Sequence, residues 1–331
     1  MYQPQDYATV LTLMIITMIA WGSWANTQKL VPDFPFQLFY WDYVLGVLAV
    51  TGVFGLTLGS YGSTGETFFA DLAGADRSSL LLALAAGAVF NVANLLLVAA
   101  IAIAGLAIAF PVGIGIALVV GVILNYLQAP KGAPLLLFGG VALVTAAILV
   151  AAVAFSRRGG AGHADTRRGL ILALACGLLM GSFYPLVTRA GTGPAGLGSY
   201  AVAFVFALGV LLCALPVNAA LMARPITGER PTSFAAYRHA DTVTHASGFL
   251  GGLIWGTGLV LSLVAASAAI VGPAVSYAIG QGATMVSAAW GVFVWREFAG
   301  APRSARMLLA PMFLLFLIGL GLVAVAPLYG A

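Results

Sequence analysis

The chain has 331 residues, of which 62% are hydrophobic and only 7% are charged. In a soluble domain about a quarter of all residues are charged, so this composition excludes a soluble protein and predicts an integral membrane protein. The net charge of +4 does not indicate a nucleic-acid partner, because the arginines lie in separate loops and form no basic face.

Ten apolar segments are each long enough to cross a lipid bilayer as a helix, which takes about 20 residues. We number them as spans 1 to 10 and predict them at 8–30, 37–59, 79–100, 103–127, 134–155, 169–190, 197–222, 246–267, 270–295 and 307–328. The segments are continuous and lack strand-like alternation, so the expected fold is an all-α integral membrane protein with ten transmembrane helices.

Loop charge predicts the orientation of these spans. One side of the membrane receives 11 of the 14 basic residues, and it is the side on which spans 1, 3, 5, 7 and 9 end. Basic residues concentrate in cytoplasmic loops, so this side is expected to be cytoplasmic and both termini are expected outside.

Two sequence motifs occur twice, in matching spans. Span 1 ends with Trp21-Gly-Ser-Trp-Ala-Asn-Thr-Gln-Lys29, and its core recurs in span 6 as Gly181-Ser-Phe-Tyr-Pro185. The segment Gly105-Leu-Ala-Ile-Ala-Phe-Pro-Val-Gly-Ile-Gly115 matches Gly272-Pro-Ala-Val-Ser-Tyr-Ala-Ile-Gly-Gln-Gly282. Small residues recur in any membrane bundle because they allow close packing, but two matched pairs in order favour an internal duplication.

The duplication predicts two halves of five spans each. The expected boundaries are 1–155 for the first repeat, 156–168 for a short cytoplasmic linker and 169–331 for the second repeat. An odd number of spans makes the second repeat enter from the opposite side, so the two copies are inverted. Inverted repeats place a substrate site near the midplane, between the halves.

Polar and aromatic residues occur at similar depth in several spans, where contact with lipid gives no reason for them. Aromatic faces and amides suit a flat, polar, uncharged solute. Hydrogen bonding between helices explains any one of these residues equally well, but their convergence at one depth favours a cavity. The candidate substrate-binding residues are Trp21, Ser23, Trp24, Asn26, Asn91, Asn94, Tyr184, Tyr277 and Gln281. Glycines that would let the backbone approach a ligand closely are Gly113, Gly115, Gly280 and Gly282.

Charged residues near the spans are candidates for coupling or gating. Asp42 lies about two turns into span 2 and could carry a proton, or it could form a structural ion pair with Lys29 across the 30–36 turn. Arg189 occupies the position in span 6 that corresponds to Lys29, so both could be gates or simply cations at helix ends. Glu297, after span 9, is expected to be solvated or paired with a neighbouring arginine.

Signals for an enzyme or a cofactor are missing from the sequence. There is no GxxxxGK[ST] motif, the three histidines have no metal-ligand spacing, and no Ser or Cys accompanies a histidine base. We therefore expect no catalytic residues, no cofactor and no metal.

Five segments carry a resemblance to known transporters. They are Trp21-Gly-Ser-Trp24, Tyr40-Trp-Asp-Tyr43, Gly87…Asn91-x-x-Asn94-Leu95, Leu124-Asn-Tyr126 and Trp290-Gly-Val-Phe-Val-Trp-Arg-Glu297. In order and spacing they resemble the drug/metabolite transporter superfamily, most closely the ureide permease family and next the glucose/ribose/rhamnose porters. The resemblance implies proton-coupled uptake of allantoin, uracil and related heterocycles.

The sequence therefore predicts a secondary transporter of a small polar solute that works by alternating access. The solute is expected between the halves, stacked on Trp21 or Trp24 and hydrogen-bonded by Asn91, Asn94 and Gln281. The expected coupling ion is a proton or sodium, and the short loops favour a multi-pass protein of a bacterial inner membrane. A sugar porter on the same fold and a membrane sensor or scaffold without transport are the alternatives.

Overall fold

The computed structural model describes residues 1–62, 64–158, 166–227 and 230–329, and in these residues every regular element is a helix. Most of the predicted linker, 159–165, lies outside the described residues. In chain order the elements are α1 (Tyr7–Ser23), a 3₁₀ helix (Trp24–Leu30), α2 (Phe36–Leu56), α3 (Phe68–Gly74), α4 (Arg77–Ala104), α5 (Leu106–Gln128), α6 (Pro134–Arg157), α7 (Thr166–Ala190), α8 (Ser199–Ala223), α9 (Phe234–Arg238), α10 (Thr242–Ser267), α11 (Pro273–Gly280), α12 (Ala283–Ala289), a π helix (Trp290–Val294), α13 (Arg303–Arg306) and α14 (Leu309–Tyr329).

Nine helices in the described ranges are long and apolar enough to cross a membrane. The predicted spans 1 to 8 and 10 correspond to these nine, and the chain is an integral multi-pass membrane protein. Aspartates begin three of the helices by accepting a backbone N–H of the first turn: Asp6 for α1, Asp76 for α4 and Asp241 for α10.

The predicted span 9, 270–295, is not one continuous helix. It is divided into α11, α12 and the π helix Trp290–Val294, with a break at Gln281 between two glycines. Glycine is a poor helix former, and both glycines here also lie close to α1. A Cβ added to Gly280 would come within 2.7 Å of the Trp21 ring, and one added to Gly282 within 2.6 Å of Met18 Sδ. The break therefore brings span 9 against span 1.

Glycines also bring other helix pairs together. Between α6 and α14, a Cβ on Gly140 would lie 2.6 Å from the Gly319 carbonyl oxygen, and one on Gly319 would lie 2.8 Å from the Gly140 carbonyl oxygen. Gly46 and Gly252 face each other and likewise allow α2 and α10 to approach closely. Small residues of this kind allow the close backbone approach on which membrane helices depend for packing.

The bundle has two ends that differ in charge. We call the end at which α1, α4 and α6 finish the basic end, because Lys29, Arg157 and Arg158 lie there. The opposite end carries residue 1, whose ammonium group donates to the Thr64 carbonyl at 2.6 Å. There the Tyr200 hydroxyl also donates to the backbone of residue 2 at 3.0 Å.

Candidate functional site

A cavity of about 430 Å³ lies among the helices and extends to the basic end. Its walls come from spans 1, 3, 4, 5, 6, 8 and 10, with Phe36 at the start of α2 and the broken span 9 completing them. The cavity reaches solvent at the basic end, where its lining residues Lys29 and Glu297 have side chains that are 45% and 23% exposed.

Aromatic rings line the deep part of the cavity. Trp21 stacks on Trp255 with ring centroids 5.9 Å apart and an angle of 15° between the planes. Phe90 lies 4.3 Å from the Trp255 ring, and Trp24 lies 4.8 Å from the ring of Tyr43. The Trp21 indole is fixed because its N–H donates to the Trp255 carbonyl at 3.2 Å. These flat faces suit a planar solute.

Four amide side chains line the cavity, those of Asn26, Gln28, Asn94 and Gln281, and the last two are buried. Asn94, from the middle of α4, is 4% exposed, and Gln281, at the break in span 9, is 9% exposed. The Nδ2 atom of Asn94 is buried and has no hydrogen-bond partner. Leaving a buried donor unpaired costs about 1–3 kcal/mol of folding stability, so a role in stabilising the fold does not explain this amide.

Tyr40 and Tyr43 of α2 lie directly behind this region. Their rings stack at 5.3 Å, and both hydroxyls are buried without a hydrogen-bond partner. Sequence reasoning missed this buried pair because an aromatic residue in a span is usually core. Their i, i+3 spacing, which places two hydroxyls on one face of a transmembrane helix, is the signal that could have found them.

Ser23 and Asn91, two of the predicted substrate-binding residues, do not line the cavity among its described walls. The Asn91 amide donates to Cys213 Sγ of α8 at 3.4 Å. Ser23 Oγ accepts from the Trp290 indole at 2.9 Å. Both side chains therefore join helices to each other.

Tyr184 and Tyr277, also predicted to bind the solute, are likewise absent from the described walls. The Tyr184 hydroxyl is 2.7 Å from Ser262 Oγ, which is 3.2 Å from Ser276 Oγ. The Tyr277 hydroxyl donates to the Ala117 carbonyl at 3.1 Å. This fully buried network lies toward the opposite end from the mouth of the cavity.

The four predicted glycines differ in their surroundings. Gly280 and Gly282 approach α1, as described above, and a Cβ on Gly113 would meet the Leu97 side chain at 3.2 Å. A Cβ on Gly115 would meet no atom within 4 Å. Gly280, Gly282 and Gly113 thus lie at contacts between helices. Gly280 also shapes the cavity, because the Trp21 ring lies directly against this glycine.

The segments that end spans 1 and 9 are joined along the cavity mouth. The Trp295 indole donates to Asn26 Oδ1 at 2.5 Å, and Ser287 Oγ donates to the Gly22 carbonyl at 3.2 Å. Asn26 lines the cavity, as predicted, but its amide oxygen is already occupied by Trp295. The 3₁₀ helix and the π helix therefore meet as a pair of irregular segments at the mouth.

An ion-paired cluster closes this junction. Glu297 accepts from Lys29 Nζ at 2.6 Å and from the Arg158 guanidinium at 2.6 Å. The preceding residue, Arg296, has a φ of +50°, a backbone conformation that residues other than glycine rarely adopt. This turn directs Glu297 back toward span 1. Burial alone would raise the pKa of Glu297, but the hydrogen bonds and charges of Lys29 and Arg158 outweigh it and lower that pKa.

The predicted ion pair between Asp42 and Lys29 is wrong. Asp42 Oδ2 lies 2.8 Å from His245 Nδ1, and Asp42 Oδ1 accepts from the Tyr237 hydroxyl at 2.6 Å. Burial, together with the hydrogen bond to Asp42, raises the pKa of Tyr237. Lys29 instead pairs with Glu297, because the 3₁₀ helix directs it toward the end of span 9. Arg189 is exposed at the opposite end of the bundle.

Two comparisons with known proteins identify one family. The family model described as ureide permease matches residues 39–170 and 166–326. Ureide permease 1 of Arabidopsis thaliana is 24% identical, with 96% of this chain and 97% of that protein aligned. Ureide permease 2 of the same plant is also 24% identical, over 96% of each chain. A crystal structure that is 18% identical shares the fold with a TM-score of 0.55, over 95% of this chain and 96% of that one.

Proposed function

The chain belongs to the ureide permease family, and from this premise we propose that it is a secondary transporter of a ureide or a nucleobase-like heterocycle that works by alternating access. Members of the family are membrane permeases, so the chain is not an enzyme. One observation carries the choice of solute: stacked aromatic faces and a partnerless amide meet in the deep cavity, while Lys29 and Glu297, the charged residues among its described walls, lie at the mouth. This arrangement favours a flat solute that is polar but uncharged.

Ten crossings in two inverted repeats, 1–155 and 169–331, form the scaffold of the proposed carrier. The broken segment Pro273–Val294 would be the tenth crossing, because its 22 residues would extend roughly 33 Å at the rise of an α-helix, about the thickness of the bilayer core. Matching positions of the repeated motif also support the duplication. Gly105 (φ 81°, ψ 159°) and Gly272 (φ 78°, ψ 170°) have the same unusual backbone conformation, and each precedes a helix.

The basic end would face the cytoplasm, and both termini would lie outside a bacterial inner membrane. The support is the location of 11 of the 14 basic residues on this side. With this orientation the cavity is open to the cytoplasm, and the buried Tyr184 network separates it from the outside. The described conformation is then the inward-facing state of the carrier.

Gating at the mouth would act through Glu297, which joins spans 1, 5 and 9 through Lys29 and Arg158. Discontinuous helices mark the moving and binding elements of many transporters, and both irregular segments of this chain lie at that junction. Arg189 would belong to the gate at the outer end.

The coupling ion would be a proton carried by Asp42. This carboxylate is 6% exposed and has two titratable neighbours, His245 and Tyr237, on the elements that pack against it. A proton on Asp42 would remove the charge that holds this cluster together, which links protonation to the positions of α2 and α10.

Uptake of labelled allantoin into proteoliposomes, with and without an inward proton gradient, tests the proposed function. Unlabelled uracil and glucose are the competitors. We expect gradient-driven uptake that uracil blocks and glucose does not. Vesicles that accumulate labelled glucose but no allantoin would contradict the proposed solute while leaving the architecture in place.

A further inference from the structure

We propose that His245 relays the coupling proton from the buried carboxylate of Asp42 to the solvent at the basic end. The relay rests on the proposed function, because it specifies the route by which the proton carried by Asp42 leaves the protein. It assigns a role in coupling to a residue of α10 that lies outside the described walls of the cavity.

The two nitrogen atoms of the His245 ring have different surroundings. Nδ1 lies 2.8 Å from Asp42 Oδ2, whereas Nε2 makes no hydrogen bond within the described residues. The His245 side chain is 28% exposed, while Asp42 is buried. The ring therefore contacts the carboxylate on one side and can reach water on the other. Histidine changes its charge near neutral pH, so it can accept a proton at one nitrogen and release one from the other.

Tyr237, the other titratable neighbour of Asp42, does not suit this role. Its hydroxyl donates to Asp42 Oδ1 at 2.6 Å and so occupies the second carboxylate oxygen. Burial, together with the hydrogen bond to Asp42 and its charge, raises the pKa of Tyr237 above the usual value of about 10. The hydroxyl therefore keeps its proton at neutral pH and holds the carboxylate in place, and the proton exchanges through Oδ2 and His245.

The His245 ring is held in position by neighbouring elements. The Tyr237 ring of α9 meets it at 4.6 Å with an angle of 75° between the planes, and the Phe34 ring from the turn before α2 lies 6.2 Å away. The titratable groups near the ring are Asp42 of α2, Tyr237 of α9 and Asp241 at the start of α10. The Asp241 carboxylate already caps its own helix, so Asp42 is the carboxylate that contacts the imidazole.

Asp42 lies between this ring and the cavity. A Cβ on Gly248 of α10 would come within 2.7 Å of Asp42 Cβ. About one turn further along α10, a Cβ on Gly251 would lie 3.5 Å from the carbonyl oxygen of Trp24, which lines the cavity. His245 precedes Gly248 by about one turn, toward the start of α10. The carboxylate is thus close to the cavity wall, and the imidazole lies on its solvent side.

The relay moves one proton in two steps. In the inward-facing state, the O–H bond of protonated Asp42 breaks at Oδ2 as an N–H bond forms at Nδ1 of the neutral His245 ring. The imidazolium then releases its Nε2 proton to water, and the neutral ring donates its Nδ1–H to the Asp42 carboxylate. Asp42 gains one negative charge and water gains one positive charge. The ring regains its Nε2–H tautomer by exchange with water when the conformational change separates it from Asp42.

Uptake driven by a membrane potential, without a pH difference, tests the relay. In sodium-free proteoliposomes with an inside-negative potassium diffusion potential, uptake of neutral labelled allantoin responds to the potential only if a proton enters with it. Exchange of labelled for unlabelled allantoin without a potential measures solute movement alone. His245→Ala should reduce driven uptake at least about tenfold, since a positioned proton-transfer group typically contributes about 10²–10⁴-fold, and should leave exchange unchanged.

Two variants and one added base separate proton transfer from a structural role. His245→Asn keeps an N–H near the position of Nδ1, so it preserves the hydrogen bond to Asp42 and the melting temperature, but it cannot relay a proton and should lose driven uptake like His245→Ala. Imidazole at equal concentration on both sides should restore driven uptake in His245→Ala. His239→Ala is the matched control: this exposed histidine contacts the Ala235 carbonyl at 2.7 Å and should behave like wild type.

Each outcome distinguishes the relay from the transport function. Driven uptake at the wild-type rate in His245→Asn, or no recovery of His245→Ala with imidazole, would overturn the relay and keep the carrier. Wild-type vesicles that exchange allantoin but do not respond to the potential would reject the coupling proton and the relay with it. Wild-type vesicles that show neither exchange nor uptake would reject the proposed function itself.

Discussion

Replacing Asn94 by leucine should raise the stability of the free protein and weaken solute binding. The Nδ2 atom of Asn94 is buried and unpaired in the solute-free chain, and leaving such a group unpaired costs about 1–3 kcal/mol. Leucine is larger than asparagine but branches at Cγ in the same way, and Asn94 borders the cavity, which can accommodate the added volume. The free energy of unfolding should therefore increase by about 1 kcal/mol or more. The solute loses at least one hydrogen bond to the amide, so its affinity should fall at least about tenfold.

Asn125→Leu is the matched control for this prediction. Asn125 is also fully buried, but its amide donates to the Gly121 carbonyl at 2.7 Å and accepts from the Thr188 hydroxyl at 3.2 Å. The same substitution there removes satisfied hydrogen bonds, so it should lower stability by about 1 kcal/mol and leave solute affinity unchanged.

Thermal melting of the purified protein in detergent, measured together with uracil binding, checks both variants. We expect the melting temperatures of the two variants to shift in opposite directions, and binding to weaken only in Asn94→Leu. The reasoning is refuted if Asn94→Leu lowers the melting temperature, because the amide would then be part of the fold, or if the variant binds solute like wild type.

Three further predictions concern the mouth, the coupling and the packing. Glu297→Gln removes the ion pairs to Lys29 and Arg158 at the mouth, so the rate at which cavity cysteines are labelled from the basic end should change. Because its partners lower the pKa of Glu297, acid should reproduce the effect of the variant only when the pH falls below the ordinary glutamate range. Identical labelling in variant and wild type would exclude a gate here. Asp42→Asn should abolish uptake driven by a proton gradient but preserve solute exchange across vesicles, whereas retained gradient-driven uptake would place the coupling proton elsewhere. Gly140→Val should lower the melting temperature by forcing α6 from α14, at a cost of about 1–3 kcal/mol, while Gly139→Val, where a Cβ meets no atom within 4 Å, should not; equal melting of the two variants would contradict the packing argument.

The membrane fold could be predicted because length and hydropathy are local properties of a segment. Nine of the ten predicted spans correspond to helices that can cross a membrane. The ninth differs because its break depends on partners far away in the sequence: Gly280 and Gly282 separate α11 from α12 where α1 approaches. A hydropathy pattern shows neither that approach nor the π helix that follows.

Candidate site residues could be predicted by depth but not by direction. Asn91 and Asn94 occupy adjacent turns of α4, yet Asn94 lines the cavity while Asn91 donates to Cys213. Packing against the other spans decides which side of a helix faces the cavity, and the sequence of a single helix does not contain that information.

Charge pairing failed for a related reason. Lys29 and Asp42 are close in sequence, on either side of one turn, and an ion pair between them is one of the two alternatives that the sequence offers for Asp42. Their partners are Glu297 and His245, more than 200 positions away along the chain. Sequence proximity is a poor guide when a 3₁₀ helix redirects one of the two side chains.

Accessibility of the two ends during turnover tests alternating access most directly. Single cysteines at Thr284→Cys, in the cavity wall, and Ser276→Cys, in the buried network toward the opposite end, would be placed in a chain without Cys176 and Cys213 and labelled with a membrane-impermeant maleimide from either face. Without solute, the cysteine at position 284 should react from the basic end only and the one at 276 should not react. During solute turnover, position 276 should become reactive from the opposite face while labelling at 284 slows. Reaction of position 284 from both faces at once, or rates that solute does not alter, would contradict a carrier with alternating access.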